Sequence, residues 1–561
     1  MNVMKMEWEV LFVISFILCS FSIPIDDAIY FLKEKSIQDA VENRYVNNDY
    51  TPHPPIIIEG NYDFTPENGV VAGNGTKDNP YIIEGWKINA KNATGIKIVN
   101  TDAYFIIRNC YIYDGIFRHD GIIFENVENG VIENVCIINN NNGMFFNYSS
   151  NNTIRDCYIY SNILWYGIYF IHSTNNIVLN CSISNNWGGI KFSSSKYNTV
   201  SNCDIISNHV YGIWLSSKLN TICYCNIQKN EYGIKIDSSN NVVFCSNISD
   251  NENGLFLYYS SNNTVYNCEF INDGLEIDGD YMKGKTHFIH NIYNNTVNGR
   301  PLLYYKNENN LILDEIEAGQ VIIVGCNESK IKNVNVKNAV IGIQIIYSKK
   351  LEIFDCIISE NKEGIRFFRS FDCKIYDCQF IKNKYAINLL YSSNNKIHDC
   401  LFANNSQGIC VISSNNEISN CKLTNNKCGI YCWSGEHHLI NRCNFSGNHY
   451  SILLDTAHFN TIQYNQFIGN DFGIYLNDAF SNIIECNNFI DNSKDATFDI
   501  FLLYLIYSPN KWDGNYWSNW QRILPKPISG YASIPIGIIP PTSLKIYWFN
   551  FDWHPSLKPI A

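Results

Sequence analysis

Asp355, Asp377 and Asp399 stand 22 residues apart, and each immediately precedes a cysteine. His398 adjoins the last of them. A 22-residue repeat stacked at strand spacing would bring these carboxylates within ~4.8 Å of one another. Such a column repels itself, raises at least one pKa, or recruits a cation such as calcium. Acids on neighbouring turns are also what polysaccharide cleavage would use. The competing reading is structural. Asn180, Asn202, Asn267 and Asn420 occupy the same position in other repeats, as a short polar corner would require. Arg118-His119-Asp120 sets an anion clamp, a base and an acid side by side. Soft ligands are densest at Cys428, Cys432, Cys443, His437 and His438, a thiolate and imidazole set suited to copper or zinc. Against that reading, Cys432 stands where Leu476 stands two repeats later, an inward position. Finally, Tyr166, Tyr211, Tyr232, Tyr385, Tyr450 and Phe472 each precede a repeat glycine or its substitute. Exposed rings there would stack on sugars; the expected role is core or partly covered packing.

The elements that position these residues follow from the repeat. Aligned segments share the unit N-x-[IV]-x-x-C-x-[IF]-x-x-N, then a few residues, then G-I-x-[ILF]. Asn198 to Leu215 is one copy and Asn220 to Ile236 the next. One cysteine column runs through Cys157, Cys181, Cys203 and Cys225, and resumes at Cys356, Cys378, Cys400, Cys421 and Cys443. An asparagine column runs from Asn361 to Asn492 with the same step. Apolar residues recur two apart with β-branched enrichment, which is strand periodicity. Short strands with Asn and Gly at the corners fit one turn of a parallel β-helix, because those residues tolerate the left-handed backbone of tight corners. The predicted fold is all-β: a single-stranded right-handed parallel β-helix of about sixteen or more rungs, capped at both ends. The cysteines should be a buried ladder of free thiols, since Ser246 and Val334 replace them without a partner to strand.

Charged residues make up 17% of the 561-residue chain and net charge is −12, which excludes a basic nucleic-acid footprint. A short apolar run from Val10 to Leu18, with Ser20-Phe21-Ser22 after it, reads as a signal peptide over 1–22, with an uncleaved anchor as the alternative. No later stretch reaches the ~18 apolar residues of a membrane span. The expected order is then a cap and entry over 23–94, rungs over 95–279, longer rungs with loops over 280–330, rungs over 331–495, and an aromatic cap over 496–561. Trp517 and Trp553 are the expected anchors of that last cap.

Four stretches carry a resemblance. They are Ile58 to Trp86, Asn100 to Asn109, Asn295 to Tyr305 with Ala318 to Ile323, and Gly514 to Trp520 with Asn550 to Pro555. In them the chain resembles the NosD-like proteins, often labelled periplasmic copper-binding, and especially their secreted archaeal relatives. The resemblance implies the β-helix and export. In the bacterial case it implies a part in assembling the copper sites of nitrous oxide reductase. It does not settle an activity.

The expected function is an exported cell-surface or secreted binding and scaffold protein, a monomer, with an extracellular polysaccharide or cell-envelope glycan as partner. A polysaccharide lyase, hydrolase or epimerase is the runner-up, and copper-site maturation comes third. Calcium and copper are the cofactors that the acid column and the soft-ligand cluster would call for.

Overall fold

A computed structural model describes residues 50–116, 118–520, 522–536 and 542–560; the apolar segment of 1–22 lies outside them. They form a parallel β-helix of about 19 turns. Each rung is three short strands. In one rung these are Thr199–Ser201, Asp204–Ile206 and Tyr211–Ser216. They pair in parallel with the next rung at Thr199↔Thr221, Asp204↔Asn226 and Tyr211↔Tyr232. Alternation sends Val200, Ile205, Ile213 and Leu215 inward, all at most 1% exposed.

The corners explain the composition. Asn202 has φ 52° and Ser207 φ 56°, and equivalent residues repeat that left-handed backbone rung after rung. Buried asparagines tie the rungs together. The Asn361 side chain donates from Nδ2 to Oδ1 of Asn383 at 3.1 Å, and the Asn361 backbone N–H donates to the same oxygen at 3.0 Å. The relay repeats through Asn405, Asn426, Asn448 and Asn470. Each amide thereby satisfies a buried backbone donor that the corner would otherwise orphan. The cysteine column lies just inside the corner: Cys378 is 1% exposed, and its thiol donates to the Tyr376 carbonyl at 3.2 Å. All twenty cysteines among the described residues are free.

Within 280–330 the chain reverses. After the strand Leu275–Asp278 come a 3-10 helix over Tyr281–Phe288 and the strands Asn291–Tyr293 and Thr296–Val297. The last of these pairs antiparallel with Arg300–Lys306, at Val297↔Arg300. A second stack starts there, with Arg300–Lys306 parallel to Gln320–Val324. The outer wall of this second stack closes the end of the first. Gln320 accepts from the Leu275 N–H at 2.9 Å and donates to its carbonyl at 2.7 Å. Gln344 does the same for Ile277, at 3.3 and 2.6 Å. Two primary amides therefore stand in for the strand that a parallel edge lacks. Outward Ile322, Val324, Ile346 and Phe368 join the first stack's core beside Ile277, Phe288 and Ile292.

At the C-terminal end, Lys511–Asp513 and Tyr516–Trp517 add a final turn. Trp517 is fully buried, stacks on Phe489 with centroids 4.2 Å apart, and donates its indole N–H to Asp552 at 3.1 Å. Trp553, expected as a second anchor, is instead 62% exposed; it lies one residue past the hairpin strand Thr542–Asp552.

Candidate functional site

Asp355, Asp377 and Asp399 do stack on one exposed edge, each in a left-handed corner with φ of 53°, 51° and 55°. The same corner is Asn333 before them and Asn420 and Arg442 after them, all with positive φ. Backbone geometry thus accounts for the acids, since Asp and Asn are the side-chain-bearing residues that enter this region most readily. His398 bonds from Nδ1 to the Asp399 carboxylate at 2.8 Å and stacks on Tyr376 at 5.2 Å.

Arg118-His119-Asp120 does not form a working triple. Asp120 is 8% exposed and its Oδ1 accepts from the Asn142 backbone at 2.8 Å and from the side-chain amides of Asn141 and Asn142 at 3.0 Å. It serves a rung contact, while Arg118 is exposed to solvent.

The soft-ligand cluster also disperses. Cys432 and Cys443 face the core at 0% and 1% exposure. Cys428 occupies the aromatic column, in register with Tyr450. His437 is an exposed corner residue stacked on Phe459. His438 takes an asparagine's place in a ladder: its Nδ1 accepts from the Asn416 N–H at 3.1 Å and its Nε2 lies 2.8 Å from the Ser413 carbonyl. Burial holds its pKa down to about 4. No group of three or more His, Cys, Asp or Glu side chains suited to a metal ion occurs among the described residues.

The aromatic column is different. It lies outside the core, on the face built from the G-I-x-[ILF] strands. Tyr211, Tyr232, Tyr385, Tyr450 and Phe472 are half-buried there, and Tyr166 is covered. In the first stack a second column runs beside it: Phe145, Tyr169, Lys191, Trp214, Lys235, Phe256 and Glu276, each in register with the next. These are the x residues of G-I-x-[ILF], which alternation points outward. Trp165 and Trp187 lean in from the preceding loop. The result is an unbroken run of ring contacts. Centroids lie 5.3 Å apart for Tyr166–Trp187, 5.9 Å for Trp187–Tyr211, 4.8 Å for Tyr211–Trp214, 5.6 Å for Tyr211–Tyr232 and 5.8 Å for Tyr232–Phe256. From Phe145 to Phe256 the face crosses five rung steps, ~24 Å.

Two lysines sit among these rings. Lys191 Nζ lies 3.8 Å from the Trp214 ring centre and 5.1 Å from that of Tyr166. Lys235 Nζ lies 5.2 to 5.8 Å from the rings of Trp214, Tyr258, Tyr211 and Tyr232. Burial lowers the Lys191 pKa, against the pull of Asp237. Asp237 is a positioning residue: its Oδ2 accepts from Trp214 Nε1 at 2.8 Å and its Oδ1 is buried without a partner. Burial raises its pKa, opposed by the Trp214 hydrogen bond. The sequence marked Tyr166, Tyr211 and Tyr232 but missed Trp214, Tyr169, Phe256 and both lysines. Their shared x position was the available signal.

A family model described as periplasmic copper-binding protein (NosD) matches residues 105–301 and 327–521. No curated protein matches the chain. Among solved structures the chain is similar to the tailspike protein gp49 from Pseudomonas phage LKA1, at 11% identity and a TM-score of 0.21 over 59% of this chain and 50% of that one. It therefore spans about half the length of that tailspike. It is also similar to the A-module of the Azotobacter vinelandii mannuronan C-5 epimerase AlgE4, at 10% identity and a TM-score of 0.19 over 70% of this chain and 97% of that one. A third likeness is to a mannuronic acid specific polysaccharide family 6 lyase from human gut microbiota, at 9% identity and a TM-score of 0.17 over 83% of this chain and 87% of that one.

Proposed function

The chain belongs to the NosD family, whose model spans both of its stacks, and on that premise we propose an exported β-helix scaffold that holds a polysaccharide against the outer aromatic face of its first stack. The observation that carries this reading is the continuous ring surface from Phe145 to Phe256. Half-exposed rings aligned along one axis offer a polymer repeated stacking sites. A rigid sheet holds the rings in place before the ligand arrives, so little ordering cost falls on binding.

The family description names copper, and the residues here do not fit a copper centre. Both His438 nitrogens are engaged within its ladder, Cys432 faces the core, and Cys428 and His437 point elsewhere. Among the described residues no helix is long and apolar enough to cross a membrane.

The test is retention on a panel of immobilised polysaccharides. The full chain should be retained by at least one polymer, and a W165A/W187A/W214A variant should lose that retention. A W433A variant, altered at an exposed tryptophan of the second stack, should keep it. Equal retention of the triple variant, or no retention of the parent on any polymer, overturns the reading.

A further inference from the structure

Acids outnumber cations on this chain, 53 to 41, and several cations of the first stack are paired with one. On the same outer face, Lys97 pairs with Glu125 at 3.2 Å. Arg108 pairs with Glu84 at 2.7 Å on a neighbouring face, and Arg155 pairs with Glu133. Lys191 and Lys235 form no ion pair with any described residue. The nearest acid in influence is Asp237, and its oxygens are buried or held by Trp214. Both ammonium groups instead lie over aromatic rings on the half-exposed platform.

Their spacing is regular. Lys191, Trp214 and Lys235 occupy one outward column in consecutive rungs. Their backbones are therefore two rung steps apart, ~9.6 Å, and both ammonium groups lean toward the indole between them, at 3.8 and 5.2 Å from its ring centre. A ligand that satisfies all three needs an apolar face flanked on both sides by anions. A neutral sugar polymer would leave both ammonium groups without a counter-charge. A polyanion without flat apolar faces would leave Trp214 unused. The far end of the platform carries Glu231, Glu252 and Glu276 near Tyr232, so the cationic stretch is bounded along the axis.

We propose that the ligand of this face is an anionic glycan, a polymer of uronic acids that runs along the stack axis and sets carboxylates at Lys191 and Lys235 with a pyranose face on Trp214. This rests on the polysaccharide reading above and names the class of polymer. Net charge of −12 repels a polyanion at long range, so capture depends on this local pair. Charge-assisted contacts from the ammonium groups then add to stacking.

The experiment measures affinity of the full chain for polygalacturonate and for its neutral counterpart galactan. The parent should bind polygalacturonate at least about tenfold more tightly, a difference of ~1.4 kcal/mol, and added salt should weaken that binding. K191M/K235M should lose the preference, and K191R/K235R should keep it, which separates charge from damage to the fold. Trp214→Ala should weaken both polymers. If galactan binds as tightly as polygalacturonate and Trp214→Ala abolishes both, the anionic assignment is wrong and the polysaccharide reading stands. If K191M/K235M keeps the full preference, the assignment is equally wrong. If neither polymer binds, the assignment falls, and the panel test decides whether the wider reading falls with it.

Discussion

Arg366 on the outer wall of the second stack donates to Glu276 on the last face strand of the first at 2.5 Å, across the junction between the stacks. The same guanidinium grips Glu363 through two further hydrogen bonds, at 2.8 and 2.5 Å. Side-chain exposure of the three groups is 12%, 12% and 9%. Burial alone would raise the Glu363 pKa, but Arg366 beside it holds it below the usual value. The pair also fixes where the aromatic column ends, because Glu276 follows Phe256 in that column.

Breaking this cluster strands two buried carboxylates. Arg366→Leu should destabilise the chain by about 3–5 kcal/mol, the cost of an uncompensated buried charge. Replacing Arg366, Glu276 and Glu363 together with apolar residues should cost much less. Urea unfolding checks both. An R366L loss no larger than the triple variant's would show that the charges are solvated and that the junction is held by its apolar contacts alone.

His290 and His438 fill asparagine positions, and burial holds their pKa values down to about 3 and about 4. The folded state therefore disfavours the charged imidazoles. Their contribution to stability is complete above the unfolded pKa near 6.5 and is lost as pH falls from there toward 4 and 3. By pH 5 each should cost about 2 kcal/mol. H290N/H438N restores the ladder residue of neighbouring rungs and should flatten the acid limb of a stability profile. An unchanged acid limb contradicts the assignment.

Asp273 works in the opposite direction. It ends the ladder below Asn251, accepts from that residue's N–H at 3.0 Å and from its side chain at 2.8 Å, and burial raises its pKa to about 7. A raised carboxyl favours the neutral form, so stability is full below about pH 4 and declines as pH rises toward 7. Asp273→Asn should match the parent near pH 4 and exceed it at pH 8 by up to about 4 kcal/mol. Calorimetry at the two pH values is the check, and a variant less stable than the parent at pH 8 would contradict it.

The cysteine columns should be inert. Cys356, Cys378 and Cys400 are 1–2% exposed, and burial pushes the nearby Cys373 thiol up to about 12. Thiol labelling of the native chain should leave them unmodified, and denaturation should release them to react. Ready labelling of the native protein would mean that the column does not face the core.

Much of this was legible in the sequence because the repeat is imposed by backbone geometry. Left-handed corners demand Asn, Asp or Gly at fixed steps, so the rungs, the asparagine relay and the thiol column could be read directly. That same demand explains why the acids at Asp355, Asp377 and Asp399 looked like a cluster. His438 looked like a ligand, yet it lies midway between Asn416 and Asn460 in a 22-residue register, which identifies its ladder role. The chain reversal near Arg300 was not legible. It depends on Gln320 and Gln344 meeting strand backbone 45 and 67 residues earlier, a tertiary relation that leaves no local pattern. The aromatic face was half-legible, since its rings divide between the position before the glycine and the x position after it.

The most direct test of the central claim locates the ligand on the surface. Radical footprinting of the full chain, with and without a polysaccharide that retains it, reads the protection of each aromatic side chain by mass spectrometry. The account predicts protection of Trp165, Trp187, Trp214 and Tyr169, with Trp433 and Trp553 modified equally in both states. Protection confined to the second stack, or none on the first-stack face while the polymer is bound, would contradict it.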